Sequence, residues 1–263
     1  MVYHSRASKR AIMNRLNSEQ RVLVIKALVE GNSLRATARM TGVARMTVEK
    51  LLRDLSAACA RYQEAHLRNL RCKRVKCDEI WSFVHAKQNN VPADESGQFS
   101  YGDVWTWVAI DADSKLAISW LVGDRSAASA FLLMDDLASR LAHRIQLTTD
   151  GHTVYLDAVE STFGAGVDYS MLVKIYGSDR DREATYNPAE RTGYRSIRVV
   201  GNPDPKPNGF SKKVKNHMQS VALHFMYYNF ARVHQTLRVT PAMASGMADR
   251  VWDIEDMVAL LSN

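Results

Sequence analysis

Val75-Lys-Cys77-Asp78-Glu79-Ile80-Trp81-Ser-Phe83-Val84 is dense in β-branched and aromatic residues and reads as a strand with a carboxylate inside it. After loop residues over 88–102, Val104-Trp-Thr-Trp-Val-Ala-Ile-Asp111 reads as a second strand. Asp113-Ser114 turns it into a third, Leu116-Ala-Ile-Ser-Trp120-Leu-Val122. Ser126 is placed to cap a helix over 127–142, with Phe131, Leu132, Met134, Leu137 and Leu141 on its apolar side. A fourth strand, Ile145-Gln-Leu-Thr-Thr149, ends at Asp150-Gly151-His152. A short helix from Val154 to Phe163 and a fifth strand over 170–176 follow. Three strands in series, then helix, strand, helix, strand and helix, imply a mixed α/β sheet covered by helices. The polar stretch 178–198 reads as a loop. A helix over 211–233 carries Val214, Met218, Val221, Ala222, Phe225 and Met226 on a packing face, with Lys212, Lys213 and Lys215 at its start. Arg232 and His234 close it as structural groups or phosphate contacts.

Asp78 lies within the first strand and Asp150 ends the fourth. If those strands are neighbours, the two carboxylates meet. Close acidic oxygens repel unless a hard cation such as Mg²⁺, or Mn²⁺ in its place, neutralises them. Such a centre activates a water or hydroxyl and stabilises the leaving oxygen of a phosphodiester.

The charge of the chain is divided. Its 35 Lys and Arg against 28 Asp and Glu leave +7. Residues 1–76 hold 17 basic and 5 acidic groups, a net +12, while residues 77–263 carry a net −5. A basic front on an acidic body suggests that one part handles polyanions. In that front Asn17 or Ser18 can cap a helix, with Gln20 placed for a capping box and Val22, Leu23, Ile25, Leu28 and Val29 as its apolar face. Gly31-Asn32 stops it. Ala38, Gly42 and Val48 then have helix-turn-helix spacing: the small Ala allows close approach and the Gly a tight turn. Val43, Val48 and Leu51 fill the wedge. Ala44, Arg45, Met46, Glu49 and Lys50 open the second helix and would face a major groove. Arg35, Arg39 and Arg53 would touch phosphates. The basic run from Arg68 to Lys76 reads as a linker able to lie along a phosphate backbone.

Other classes are excluded. A hydrophobic content of 46% with 24% charged residues is that of a globular protein. No apolar run approaches the roughly 18–20 residues of a membrane span, and the basic first residues lack the apolar stretch of a secretory signal. Cys59, Cys72 and Cys77 are too few for a disulfide framework and lack the second ligand pair of a structural zinc site, so inert thiols and a cytoplasmic, nucleoid-associated setting are expected.

The sequence resembles transposases of the insertion-sequence-1 type, members of the DDE group with an RNase H-like core. The resemblance is carried by Cys77-Asp-Glu-Ile-Trp-Ser-Phe83, Gly102-Asp-Val-Trp-Thr-Trp-Val-Ala-Ile-Asp111, Thr148-Thr-Asp-Gly-His152 with Tyr155, and Gly201-Asn-Pro-Asp-Pro205. Gly209-Phe-Ser-Lys-Lys213, His224-Phe-Met-Tyr-Tyr-Asn-Phe230, Arg232, His234 and Thr240-Pro-Ala242 extend it. It implies a helix-turn-helix domain over 1–66, a linker over 67–76, an RNase H-like core over 77–240 and a helical tail over 241–263, with Trp252 as anchor. It also implies Asp78 and Asp150 as the first two members of a Mg²⁺-binding triad, double-stranded DNA at transposon ends as partner, action as a homo-oligomer, and cutting and joining of strands. In that family an acidic and basic segment follows the Gly-Asn-Pro-Asp-Pro turn and brings the third carboxylate. Here Pro205 leads almost directly into Gly209-Phe-Ser, and no acidic residue lies between Asp204 and Asp249. Glu183 and Glu190 are the remaining candidates within 178–198. Without a third ligand, strand cleavage is expected to be weak or absent. The alternative is a decayed DNA-binding remnant or a repressor of its own element.

Overall fold

The computed structural model describes residues 16–95, 101–176, 191–204 and 218–262. Three helices come first: α1 (Ser18–Val29), α2 (Leu34–Thr41) and α3 (Arg45–His66). The capping box is present as expected, with the Asn17 side chain accepting from the Gln20 N–H and Gln20 from the Asn17 N–H. Gly42 ends α2 at φ +70, a conformation that costs glycine little, and its N–H closes on the Ala38 carbonyl. Val43, Val48 and Leu51 are buried between these helices. The buried face of α1 is Val22, Val24 and Ile25, and Leu23, expected inside, is half exposed.

The sheet has six strands: β1 (Arg74–Val84), β2 (Gly102–Asp111), β3 (Ala117–Gly123), β4 (Ile145–Asp150), β5 (Val167–Tyr176) and β6 (Arg191–Val200), in the order β3-β2-β1-β4-β5-β6. β1 pairs with β4 and β4 with β5 in parallel; the other pairs are antiparallel. The first and fourth strands are therefore neighbours, the condition on which the meeting of Asp78 and Asp150 depended. β5 starts three residues earlier than the sequence suggests. β6 is a correction, because the stretch 178–198 had been read as a loop. Its Tyr194, Arg195, Ser196, Ile197 and Arg198 alternate too weakly in polarity to announce a strand. It survives as an edge strand because β5 supplies its hydrogen bonds and its Arg195 and Arg198 side chains face water.

α4 (Ala127–Arg140) and α5 (Val154–Phe163) cover one face, where Leu133, Met134, Leu137, Tyr155, Ala158 and Val159 pack on Trp107, Ala109 and Leu147. On α4 the expected apolar side holds at Met134 and Leu137, but Leu132 is 61% exposed and Phe131 borders solvent, while Ala130 and Leu133 go inward. The opposite face takes α6 (Met218–Met226), whose Val221 and Phe225 pack on Val104, Val108, Ala117 and Val122. α6 passes into a π-helical turn, Tyr227–Ala231. There buried Asn229 accepts from the Ala117 N–H and donates to the Ala117 carbonyl, both at 2.9 Å, fastening the helix to β3. Two short helices, α7 (Pro241–Ala244) and α8 (Ile254–Ala259), fold back, and Trp252 wedges against Tyr62 and Phe230.

One cluster of buried side chains runs from Val22 in α1 through the sheet to Val258 in α8. Between α3 and β1, the stretch read as a linker contains buried Leu67, Leu70 and Cys72, and β1 already begins at Arg74. Arg140 locks the same junction: its nearly buried guanidinium pairs with Asp136 and Glu64 and donates to the carbonyls of Gln63 and Leu67. Among the described residues no helix is long and apolar enough to cross a membrane.

Candidate functional site

β1 and β4 are paired only from Arg74↔Gln146 to Lys76↔Thr148. Two residues further along each strand stand Asp78 and Asp150, on one face of the sheet. The strands part at this point, as open α/β sheets do where the strand order reverses, and the crevice beyond the strand ends is a ligand position. A third carboxylate enters it. Ligand oxygens of Asp78, Glu79 and Asp150 lie within 4.8 Å of one another. Glu79 follows Asp78 and leaves β1 toward the opposite face, among Cys77, Tyr155 and Arg125. Strand alternation alone would separate it from Asp78, which is why the sequence did not nominate it. Glu183 and Glu190 lie outside the described residues.

The surroundings of Glu79 are dry. Its side chain is 1% exposed, and its Oε1 has no hydrogen-bond partner among the described residues. Burial pushes its carboxyl above the ordinary carboxylate range and the charge of Asp150 pushes it further. The Tyr155 hydroxyl and the Arg125 guanidinium oppose this. The Tyr155 hydroxyl faces the carboxylate without reaching full hydrogen-bond geometry, and His152 Nε2 is likewise buried and unpartnered. Beneath them Cys77 is buried, its thiol driven strongly upward by burial and then by the three carboxylates, so it stays neutral. Cys59 and Cys72 are also buried, each pushed to about 12, chiefly by burial. All three thiols are free.

Arg125, which the sequence reading did not single out, is the cation of the site. It donates to Glu79 Oε2 from Nη2 at 3.0 Å and from Nε at 3.3 Å, stands 3.7 Å from Asp150 Oδ2, and stacks on Trp105 at 4.6 Å. Its loop is pinned, because Trp107 Nε1 donates to the Asp124 carbonyl and Asp124 accepts from the Ser126 and Ser129 hydroxyls. Asp150 is oriented by the His152 N–H at 2.9 Å, and the Glu79 N–H donates to Asp78 at 3.0 Å. Three carboxylates and one guanidinium leave two negative charges, the deficit that one divalent cation fills. The buried, unpartnered Glu79 Oε1 and the all-oxygen donor set suit a hard ion such as Mg²⁺ or Mn²⁺.

A basic cleft of about 230 Å³ lies on the same sheet face, lined by Arg74, Lys76, Ala112, Lys115, Gln146, Thr148 and Asp204. The Lys76 ammonium is drawn below its ordinary range by burial first and then by Lys115 and Arg74. A larger hollow of about 570 Å³ between α4 and α5 is lined by none of Asp78, Glu79 and Asp150.

In the basic helices Arg35, Arg39, Ala44, Arg45, Met46, Lys50 and Arg53 are exposed and Glu49 is half-buried. Glu49 pairs with Arg53 at 3.5 Å and Lys50 with Asp54, so two of the candidate phosphate or base contacts already hold an acidic neighbour. Ala44 caps α3 without a side-chain acceptor. The expected Lys212, Lys213 and Lys215 lie outside the described residues.

Neither a protein-family model nor a curated protein matches the chain. Solved structures with which it aligns include the Mos1 Strand Transfer Complex, at 16% identity over 64% of this chain and 60% of that chain, TM-score 0.26. They also include a pre-cleavage Mos1 transpososome, at 14% over 64% and 61%, TM-score 0.25. A third is the mariner Mos1 paired end complex with Mg, at 14% over 61% and 59%, TM-score 0.24. The chain thus spans about three fifths of the length of the chains it matches. The likeness is remote.

Proposed function

We propose that the chain is a DNA-processing protein of the transposase type, with an RNase H-like core over 77–240 that cuts and joins DNA strands at a divalent-metal centre. The observation that carries this reading is the convergence of Asp78, Glu79 and Asp150 within 4.8 Å at the parting of two parallel strands. Asp78 and Asp150 would hold a divalent ion from one sheet face, and Glu79 would complete the donor set from the other. A bound Mg²⁺ supplies charge neutralisation and an activated water for attack on a phosphodiester. Arg125 stands where a phosphate oxygen arriving at the carboxylates meets a positive charge, and its stacking on Trp105 fixes its direction. Cys77 and Trp107 keep water from the rear of Glu79, which strengthens each of these interactions. A second divalent ion has no charge left to match it until a phosphate adds its own.

The helices over 1–66 supply DNA affinity in this reading, with α2 and α3 as a helix-turn-helix. Arg35, Arg39 and Arg53 serve as phosphate contacts, and Ala44, Arg45, Met46, Glu49 and Lys50 form the face offered to the major groove. Transposon-end DNA, action as a homo-oligomer and a nucleoid-associated location belong to the same proposal. The finer assignment to the insertion-sequence-1 type rests on the motifs quoted above.

One observation favours a second reading. Arg125 already partly neutralises the carboxylates, as it would in a DNA-binding protein that no longer takes up metal. The readings part in one experiment. Labelled duplex DNA incubated with Mn²⁺ or Mg²⁺ should be nicked slowly by the wild-type chain. Asp78→Asn and Asp150→Asn should abolish nicking while leaving the gel-shift affinity within about twofold. No nicking together with no metal uptake would leave the repressor or remnant reading standing.

A further inference from the structure

Arg74, Lys76 and Asp78 alternate along one face of β1, and Gln146, Thr148 and Asp150 along the same face of β4. The basic cleft and the carboxylate pair are therefore two consecutive stations on one surface. Lys115 joins the cleft from the turn between β2 and β3, held at φ +63 by its own N–H to the Asp111 carbonyl. Asp111 accepts from the Ser114 N–H and hydroxyl through Oδ2, and its charge still acts on Arg74. Two further acids bear on the cleft. Asp113 is taken up by Arg74, and Asp204 stands at the rim with its N–H on Gln146 Oε1 at 3.0 Å. Toward the C-terminal segment the positive charge continues, because Arg232 and Lys115 both bear on His234. The cleft thus sets three cations against the Asp204 carboxylate, with Asp113 on Arg74 and Asp111 nearby, and Lys76 and Lys115 carry its positive side toward the anionic centre, an arrangement that suits phosphates passing from one to the other.

We propose that this cleft holds a backbone phosphate of the DNA strand and so sets which phosphodiester reaches Asp78 and Asp150. The proposal rests on the carboxylate-centre reading and adds a subsite to it. Two residues along a strand are about 6.6 Å, the scale on which successive phosphates follow one another along a nucleic-acid strand. Lys76 and Asp78 therefore address neighbouring phosphates. Lys76 and Lys115 supply the ammonium groups, and Gln146 and Thr148 supply polar groups on the cleft floor.

The test uses the full chain in EDTA, so that it does not depend on metal. A short DNA duplex is titrated at several salt concentrations against wild type, Lys76→Gln/Lys115→Asn and the charge-conserving Lys76→Arg/Lys115→Arg; Asn tolerates the left-handed backbone of position 115. The neutral double variant should bind roughly tenfold more weakly, with a salt slope smaller by about 1 to 2, and the Arg variant should bind as wild type does. Both should keep the wild-type Mn²⁺ titration, which separates failure of the cleft from failure of the carboxylate centre. An unchanged salt slope in the neutral variant overturns the proposal. So does inorganic phosphate binding that is lost in that variant while its DNA binding is intact, which would make the cleft a site for free phosphate alone. If the neutral double variant misfolds, the single variants Lys76→Gln and Lys115→Asn decide: a salt slope smaller by about 1 in either supports the proposal, and an unchanged slope in both overturns it.

Discussion

Asp150→Asn should make the metal-free protein more stable and the metal-bound protein less so. Asp150 faces two carboxylates whose oxygens lie within 4.8 Å of its own. At an effective dielectric near 20, each such contact between unit charges repels by about 3.5 kcal/mol. Arg125, 3.7 Å away, attracts Asp150 by about 4.5 kcal/mol on the same scale. The balance disfavours the charged group by about 2–3 kcal/mol. Arg125 is 40% exposed and Asp150 21%, so solvent screening brings this nearer about 1 kcal/mol. Asn keeps an oxygen for the His152 N–H and sheds the repulsion. In EDTA at neutral pH its thermal midpoint should rise by about 2–4 °C. Mn²⁺ at a hundred times its wild-type Kd should stabilise wild type by about 2.7 kcal/mol. A variant that binds tenfold more weakly gains about 1.4 kcal/mol under the same conditions. Scanning calorimetry with and without Mn²⁺ measures both quantities. A variant that is less stable than wild type in EDTA yet keeps the whole Mn²⁺ shift would refute the claim that these carboxylates share a metal.

The remaining predictions follow from neighbouring contacts. Because the fold raises the Glu79 carboxyl above its ordinary value of 4.5, its contribution favours the folded state below that value and is lost as pH rises through the raised one. The thermal midpoint of Glu79→Gln in EDTA should therefore match wild type near the acid end and exceed it increasingly toward neutral pH; a gap that closes as pH rises contradicts the assignment. Arg125→Gln removes the cation that competes with metal, so Mn²⁺ affinity by calorimetric titration should rise about threefold to tenfold, and the fluorescence of Trp105 should shift even without metal. Arg140→Met leaves Glu64, Asp136 and two carbonyls without their shared donor. Since both acids are partly exposed, the cost should be about 2 kcal/mol by urea unfolding, below that of a fully buried pair. A neutral result would show that the basic helices do not depend on that lock.

Much of the sheet was legible because local chemistry and tertiary outcome agree. The Asn17 capping box, Gly42 and the Val154-to-Phe163 helix satisfy their backbone with near neighbours, and the apolar strand over Val104–Ile110 pairs with the β3 hairpin partner that follows it. β6 was not legible, because an edge strand of mixed polarity becomes a strand only when β5 offers its hydrogen bonds. The face of α4 was misread in part for a similar reason: Leu132 fits an apolar stripe but borders an open hollow, while Met134 and Leu137 turn inward as expected. The stretch 67–76 shows the same conflict, since its charges read as a tether while Leu67, Leu70 and Cys72 hold it against the core.

The site divides in the same way. Sequence alone nominated Asp78 and Asp150, because each is a carboxylate at a strand position and their meeting needed only β1 beside β4. It also set the basic front against the acidic body, since charge is counted without knowing the fold. Only the tertiary structure brought in Glu79, whose neighbour on the strand should face away from it, and Arg125, more than forty residues later in the chain. Both belong to the site because β1 and β4 part after Lys76↔Thr148, so that side chains leaving opposite faces of one strand reach a common opening. That parting is a property of the assembled sheet and is written in no local run of residues.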